Sequence, residues 1–151
     1  MQTKKILIAA DHGGANLKNT LKTYLKQKGF DVVDYGPEDA NAAVDYPDKA
    51  SELIKGMQKN ENAKGILICT SGIGMSIAAN RYPFIRGALV FNREMAEMAR
   101  GHNNANVLIF GAKFISETEA KKCVDVFLST EFLGERHERR VNKLACMGGA
   151  E

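Results

Sequence analysis

The sequence predicts a doubly wound α/β three-layer sandwich: one five-stranded parallel sheet, Rossmann-like, with helices on both faces. Three observations predict it. Five short apolar runs recur along the chain: "KILIAA" (5–10), "FDVVDYG" (30–36), "GILIC" (65–69), "GALVF" (87–91) and "NVLIFG" (106–111). Unbroken hydrophobicity, rather than alternation, is what a strand buried on both faces needs. Amphipathic helical segments separate these runs, which points to βαβ units with right-handed crossovers. The third observation is size, since 151 residues suffice for one core and not for two, so a single domain over 1–151 is expected.

The helices follow from spacing. Leu17, Leu21 and Leu25 recur every four residues, and Gly29 closes that helix. A polar loop through Pro47 leads to a helix whose face is Leu53, Ile54 and Met57. After the fifth strand, Ser116 and Glu119 have the spacing of a capping box. They precede a stripe of Ala120, Cys123, Val124, Phe127 and Leu128 that should face the core. A last helix, roughly 134–147, is very basic at its start, and Met95 and Met98 are expected to pack, at a subunit contact.

Bulk properties exclude several classes. A hydrophobic fraction of 44% and a charged fraction of 26% suit a soluble globular protein. No apolar run is long enough to cross a membrane, and "MQTKKILIAA" lacks the apolar stretch of a secretory signal. Three widely spaced cysteines, Cys69, Cys123 and Cys146, fit reduced thiols in a cytoplasmic protein better than a disulfide framework or a zinc site. A net charge of +3, with no aromatic residues among the arginines of "GERHERRV", gives no nucleic-acid footprint. It is compatible with a small anionic ligand.

In such sheets ligands bind beyond the carboxyl ends of the strands. The first strand ends in Asp11-His12-Gly13-Gly14, the third in Cys69-Thr70-Ser71-Gly72 and the fifth in Gly111-Ala112-Lys113. "RGHNNAN", with His102 and Asn103, sits just before the fifth strand, and all these polar groups are expected to collect at one edge. Within "GILICTSGIGMSIAANR" (65–81), the turn 70–75 opens a helix, whose free N–H groups hold an anion or a developing oxyanion. The same field favours a thiolate at Cys69.

Four chemistries compete for that loop. A phosphate-binding loop would end in Gly-Lys-Ser/Thr where this chain has Gly74-Met75-Ser76. A dinucleotide fingerprint would have a third glycine at Ile77. A cysteine phosphatase would have arginine at Met75 to clamp the phosphoryl group. Proton abstraction from carbon uses every residue: Cys69 as general base, the backbone amides and the Ser71 hydroxyl holding enediolate oxygens. The structural alternative for Cys69 is a small core residue. His102 is suited to shuttle a proton to or from a sugar ring oxygen, while Asn103 and Asn104 also fit turn chemistry. Arg136 and Arg140, four apart on one helix face, form a fork for a phosphate monoester, with Arg139 pointing to solvent.

Together "AADHGG", "VDYPD", "GILICTSGIGMSIAANR", "RGHNNANVLIFG" and "GERHERRV" resemble the ribose/galactose isomerase family, which includes ribose-5-phosphate isomerase B and the galactose-6-phosphate isomerase subunits. The resemblance runs from Lys5 to about Val141. It implies interconversion of ribose 5-phosphate and ribulose 5-phosphate, a step of the pentose phosphate pathway, with no cofactor and no metal. It implies that Cys69 takes the C2 proton, that His102 helps open the furanose ring as acid, and that Asp11 lies near the ring hydroxyls. Ser71 and the amides of Thr70, Gly72, Ile73 and Gly74 would hold the enediolate, and Asn103 a substrate oxygen. His12, Arg136 and Arg140 would bind the phosphate. It further implies a site shared between two subunits, hence a homodimer or a tetramer made of two.

Two positions depart from the family pattern. Lys113 stands where many relatives have arginine, and Met75 stands where some use glutamate as the base. Having both Cys69 and Met75 places the chain with the cysteine type. The alternatives are an isomerase of a six-carbon sugar phosphate, such as allose 6-phosphate or galactose 6-phosphate, and a non-catalytic phospho-sugar or nucleotide-binding module on the same fold.

Overall fold

The computed structural model describes residues 4–148. Strands β1 (Lys5–Ala10), β2 (Asp31–Asp34), β3 (Lys64–Cys69), β4 (Gly87–Leu89) and β5 (Val107–Gly111) form one all-parallel sheet in the order β2-β1-β3-β5-β4. Among the described residues the helices are α1 (Ala15–Gln27), α2 (Tyr46–Gln58), α3 (Ile73–Ala79), α4 (Arg93–Gly101), α5 (Glu117–Ser129) and α6 (Arg136–Ala145), with a 3-10 turn over His12–Gly14. Successive side chains of the central strands point to opposite faces. Ile6, Ile8, Ile66, Ile68, Leu108 and Phe110 pack with α1, α4 and α5. Leu7, Leu67, Cys69, Val107 and Ile109 pack with α2 and α3 on the other face. This is the expected sandwich.

The helical stripes are buried as their spacing requires. Leu17, Leu21 and Leu25 are all in the core, each contributing roughly 2 kcal/mol relative to exposure, and Gly29 takes a left-handed φ of 91° just beyond α1. Ser116 Oγ accepts the Glu119 N–H at 3.1 Å at the start of α5. Val126 is buried in that helix, whereas Leu128 is only half-buried against the core. β2 is shorter than the apolar run because Gly36 turns the chain at a φ of 81° before Pro37. β4 is a three-residue edge strand, half-buried throughout. Met95 and Met98 do not pack within the chain: the inner face of α4 is Ala96, Ala99 and Arg100, which turns both methionines outward.

Lys18 lies wholly within the structure. Its ammonium donates to Asp34 Oδ2 and to Asn19 Oδ1, both at 2.8 Å, while Lys22 Nζ reaches the same carboxylate oxygen at 3.0 Å and Gly36 N–H the other at 2.8 Å. Burial alone would raise the Asp34 pKa; hydrogen bonds from Lys18, Gly36 and Lys22 outweigh it and hold the carboxyl below its ordinary value. Lys18→Met should therefore destabilise the protein by about 3 kcal/mol, because it leaves a buried carboxylate short of its closest partner. Denaturant unfolding checks this. The native carboxyl titrates below the unfolded one, so the contribution is complete above about pH 4 and is lost as pH falls through the lowered native value. The variant's deficit should shrink under strong acid.

The sheet order fixes where a ligand can sit. The chain leaves β1 towards β2 on one side and leaves β3 towards β4, beyond β5, on the other, so the carboxyl ends of β1 and β3 flank the crevice of a topological switch point. Asp11 immediately follows β1, and Cys69 is the last residue of β3.

Candidate active site

The first group of polar residues is built by three turns that meet at this crevice. Asp11 caps a single 3-10 turn over His12–Gly14, its Oδ1 accepting the Gly14 N–H at 3.2 Å. Asp11 is buried, and His12 projects to solvent. The turn lies directly on the loop after β3, since a Cβ on Gly13 would collide with Thr70 Oγ1. From the other side, the end of β5 closes on the loop through Ala112 N–H to Cys69 O at 2.9 Å and Lys113 N–H to Thr70 O at 3.0 Å. Gly72 takes a left-handed φ of 79°, and a Cβ there would strike Leu89. That conformation aims the Gly72 N–H at Cys69 Sγ, 3.2 Å away, and Ser71 Oγ accepts the Ile73 N–H at 3.2 Å. Asp11, His12, Cys69, Thr70, Ser71, Gly72, Ile73 and Gly74 thus form one cradle.

Cys69 is not open to solvent within one chain. It is 4% exposed and packs among the apolar residues under α2 and α3, because a side chain at the end of a central strand meets the helices that cover the sheet. Its sulfur still receives a backbone donor, so it is not enclosed by hydrocarbon alone. Cys123 is an ordinary core thiol, with burial pushing its pKa up to about 12. Cys146 is exposed.

The second group lies elsewhere, which corrects the expectation of a single edge. His102 caps the carboxyl end of α4, its N–H bonded to Met98 O at 2.8 Å, and Asn103 follows it. Both precede β5, whose first residue, Val107, is in register with Gly65 near the start of β3. Parallel strands share one direction, so residues entering β5 lie at the amino edge of the sheet. Cys69 is four residues beyond Gly65, which places the two edges about 13 Å apart at ~3.3 Å per residue. Within one chain His102 and Cys69 are therefore out of reach of each other.

What His102 does meet is α6. The rings of His102 and His137 stack with centroids 4.4 Å apart and planes 9° from parallel. His137 is buried. Desolvation pushes its pKa below the usual histidine value, and the charges of His102, Arg136 and Arg140 add to the shift. Arg136 and Arg140 are exposed on the same helix. His102, Asn103, Arg136 and Arg140 thus form a second cluster, at the opposite edge from the first.

Comparisons over the whole chain place this fold in a family. The model of the family described as Ribose/Galactose Isomerase matches residues 6–144. The chain belongs to the ribose/galactose isomerase family. Among relatives of this family, a probable ribose-5-phosphate isomerase B of Mycoplasma genitalium is 44% identical over 140 residues, covering 92% of each chain. The structure of a ribose 5-phosphate isomerase from Thermotoga maritima superposes with a TM-score of 0.91 at 48% identity, over 95% of this chain and 98% of that one. A ribose-5-phosphate isomerase B of Mycoplasma genitalium, solved with bound ribulose-5-phosphate, gives a TM-score of 0.91 at 41% identity over 97% of both chains.

For this family member the structure also adds contacts that the motifs do not show, including one made by His137, a histidine the sequence already marks for function. Tyr46, at the start of α2, lies against the cysteine loop, where a Cβ on Gly74 would come within 2.7 Å of its ring. Its motif, "VDYPD", was legible as a motif, but nothing in the sequence joins position 46 to position 74. His137 belongs to the second cluster through its stack on His102, a contact across 35 positions that no local spacing signals.

Proposed function

We propose that this chain interconverts D-ribose 5-phosphate and D-ribulose 5-phosphate by proton transfer through an enediolate, in sites shared by two copies of the chain. The single observation that carries the reading is the division of the family's motif residues into two clusters at opposite edges of one sheet. A two-fold pair, in which each copy sets its Asp11–Cys69 cradle against the His102–Arg140 cluster of the other, brings the halves together twice. Exposed apolar side chains border both halves, as a partner surface requires: Ile73 and Ile77 on α3 by the cradle, Met98 and Leu133 beside His102.

In this reading His102 gives a proton to the ring oxygen as the furanose opens, with Asp11 accepting from the ring hydroxyls. Cys69, as thiolate, removes the C2 proton. The electron pair forms the C1–C2 double bond, and negative charge moves to the oxygen at C1. The amides of Thr70 to Gly74 and the Ser71 hydroxyl stabilise that charge. Return of the proton to C1, with transfer of the hydroxyl proton from the oxygen at C2 to the oxygen at C1, forms the carbonyl at C2 and gives the ketose. Asn103 holds a substrate oxygen, and His12 with Arg136 and Arg140 holds the phosphate, an arginine fork being suited to a dianionic oxyanion.

Two experiments test this. Ribose 5-phosphate incubated with the protein in deuterated water, without added metal, should acquire deuterium at C2, and the ribulose 5-phosphate formed should carry it at C1. A carbon-bound proton left in place after prolonged incubation would contradict an isomerase and leave a binding module. Arg140→Ala should raise KM for ribose 5-phosphate roughly tenfold to a hundredfold with a smaller change in kcat, because the lost contact is made equally in ground and transition states. An unchanged KM in steady-state kinetics would reduce the arginines to a solvated face.

A further inference from the structure

Arg100 is a buried cation with an unusual set of partners. It is 8% exposed, and among the described residues no carboxylate lies within ion-pair distance of it. Burial and the positive charge of Arg86 push its pKa below the ordinary arginine value, with Glu131 acting the other way. Lys64 feels Arg100 and Arg86 in turn. A guanidinium in such surroundings is unfavourable unless its donors are used.

They are used on carbonyl oxygens of two separate segments. Nη1 donates to Asn104 Oδ1 at 2.9 Å and to Ala105 O at 2.6 Å, while Nε donates to Thr130 O at 3.4 Å. The plane sits 5.8 Å over the Phe127 ring of α5. Asn104 is one of the non-glycine residues at positive φ, 49°, and its own carbonyl is held by Arg86 Nε at 2.6 Å. The first segment tied down by Arg100 is therefore the loop that follows His102 and Asn103. The second is the connection that leaves α5 at Thr130, bonds back through Leu133 N–H to Gly101 O at 3.0 Å, and enters α6 with Arg136, His137 and Arg140.

We propose that Arg100 is the positioning residue of the second cluster: by fastening the 102–105 loop to the Thr130 connection, it holds the His102–His137 stack and the Arg136–Arg140 pair in one arrangement. Lysine cannot replace it, because one ammonium on a flexible stem does not span both segments as a planar fork does. The consequence for turnover rests on the isomerase reading. The consequence for the histidine pair does not.

The test uses Arg100→Lys in the full-length protein, read by ring-proton spectra of labelled histidine and by kinetics with ribose 5-phosphate. The stacked rings of the native protein should give upfield-shifted ring resonances. Arg100→Lys should lose that shift and lower kcat about tenfold or more, misplacement by roughly an ångström being enough for such a loss. A variant that melts earlier but keeps both the ring shifts and kcat well below its melting temperature would overturn the proposal. Should the lysine variant not fold, Asn104→Gly keeps the left-handed backbone and removes the Oδ1 acceptor. It should displace the same resonances, Asn104→Asp should restore them, and native shifts in Asn104→Gly would again overturn it. Ring shifts that respond in a protein inactive on ribose 5-phosphate would sink the isomerase reading and leave the positioning role standing. Native shifts in an active enzyme would do the reverse.

Discussion

Cys69→Ala should lower kcat about a thousandfold while KM for ribose 5-phosphate stays within about twofold, the pattern of a group that acts on the transition state and contributes little to ground-state binding. The cradle gives the reason. Cys69 ends the central strand β3, and its sulfur accepts the Gly72 N–H at 3.2 Å, so it is held beside the amides proposed to stabilise the enediolate. Alanine removes the only proton acceptor from that position without disturbing the loop's own bonds, Ala112 N–H to Cys69 O and Lys113 N–H to Thr70 O. Exchange of the C2 proton for deuterium should fall in parallel with turnover. Turnover near the native rate, measured by ketose formation, would show that another group takes the proton.

Gly72→Ala should be nearly as damaging, by a different route. A side chain at a φ of 79° costs about 1–2 kcal/mol in backbone strain alone. The added Cβ would also strike Leu89 and lie 3.0 Å from Gly111 N and from Phe110 C. Backbone atoms at that distance cannot rotate aside, so the loop itself must move. The N–H aimed at Cys69 moves with it, as do the amides on either side. We expect kcat to fall at least about a hundredfold, which an ångström of misplacement in an oxyanion cradle suffices to produce, together with a melting temperature lower by several degrees. Steady-state kinetics and thermal unfolding of one preparation measure both. A Gly72→Ala enzyme with native kcat would mean that the amide geometry of this loop does not matter to the reaction.

The layers of the fold were legible because burial leaves a periodic trace. The leucines of α1 and the stripe of α5 repeat at helical spacing, and the central strands are apolar without interruption. The edge was less legible: β4 is short and half-buried, so nothing in its composition marks where pairing stops. The cradle could be read almost residue by residue, since glycines and small polar residues at the end of a parallel strand have few other uses. The second cluster is legible as chemistry, but its edge is not, because the strand-end rule draws all polar groups to one side of the sheet. Chain order held the correction, because a residue that precedes a parallel strand enters from the amino side. The His102–His137 stack and the Arg100 bonds to Asn104, Ala105 and Thr130 left no such trace, as they join segments of different elements through single side chains.

Subunit complementation tests the shared site most directly. Cys69→Ala and His102→Ala each disable one half of a site, so either variant alone should be inactive. Co-expressed, they should form mixed dimers in which, on the proposed shared-site reading, one site carries both lesions and the other carries neither. With random pairing, half of the dimers are mixed and half of their sites intact, so activity should recover to about a quarter of the native value per subunit. Activity that stays at the level of the parents, in a preparation where mixed dimers are shown to be present, would mean that Cys69 and His102 do not meet across two chains.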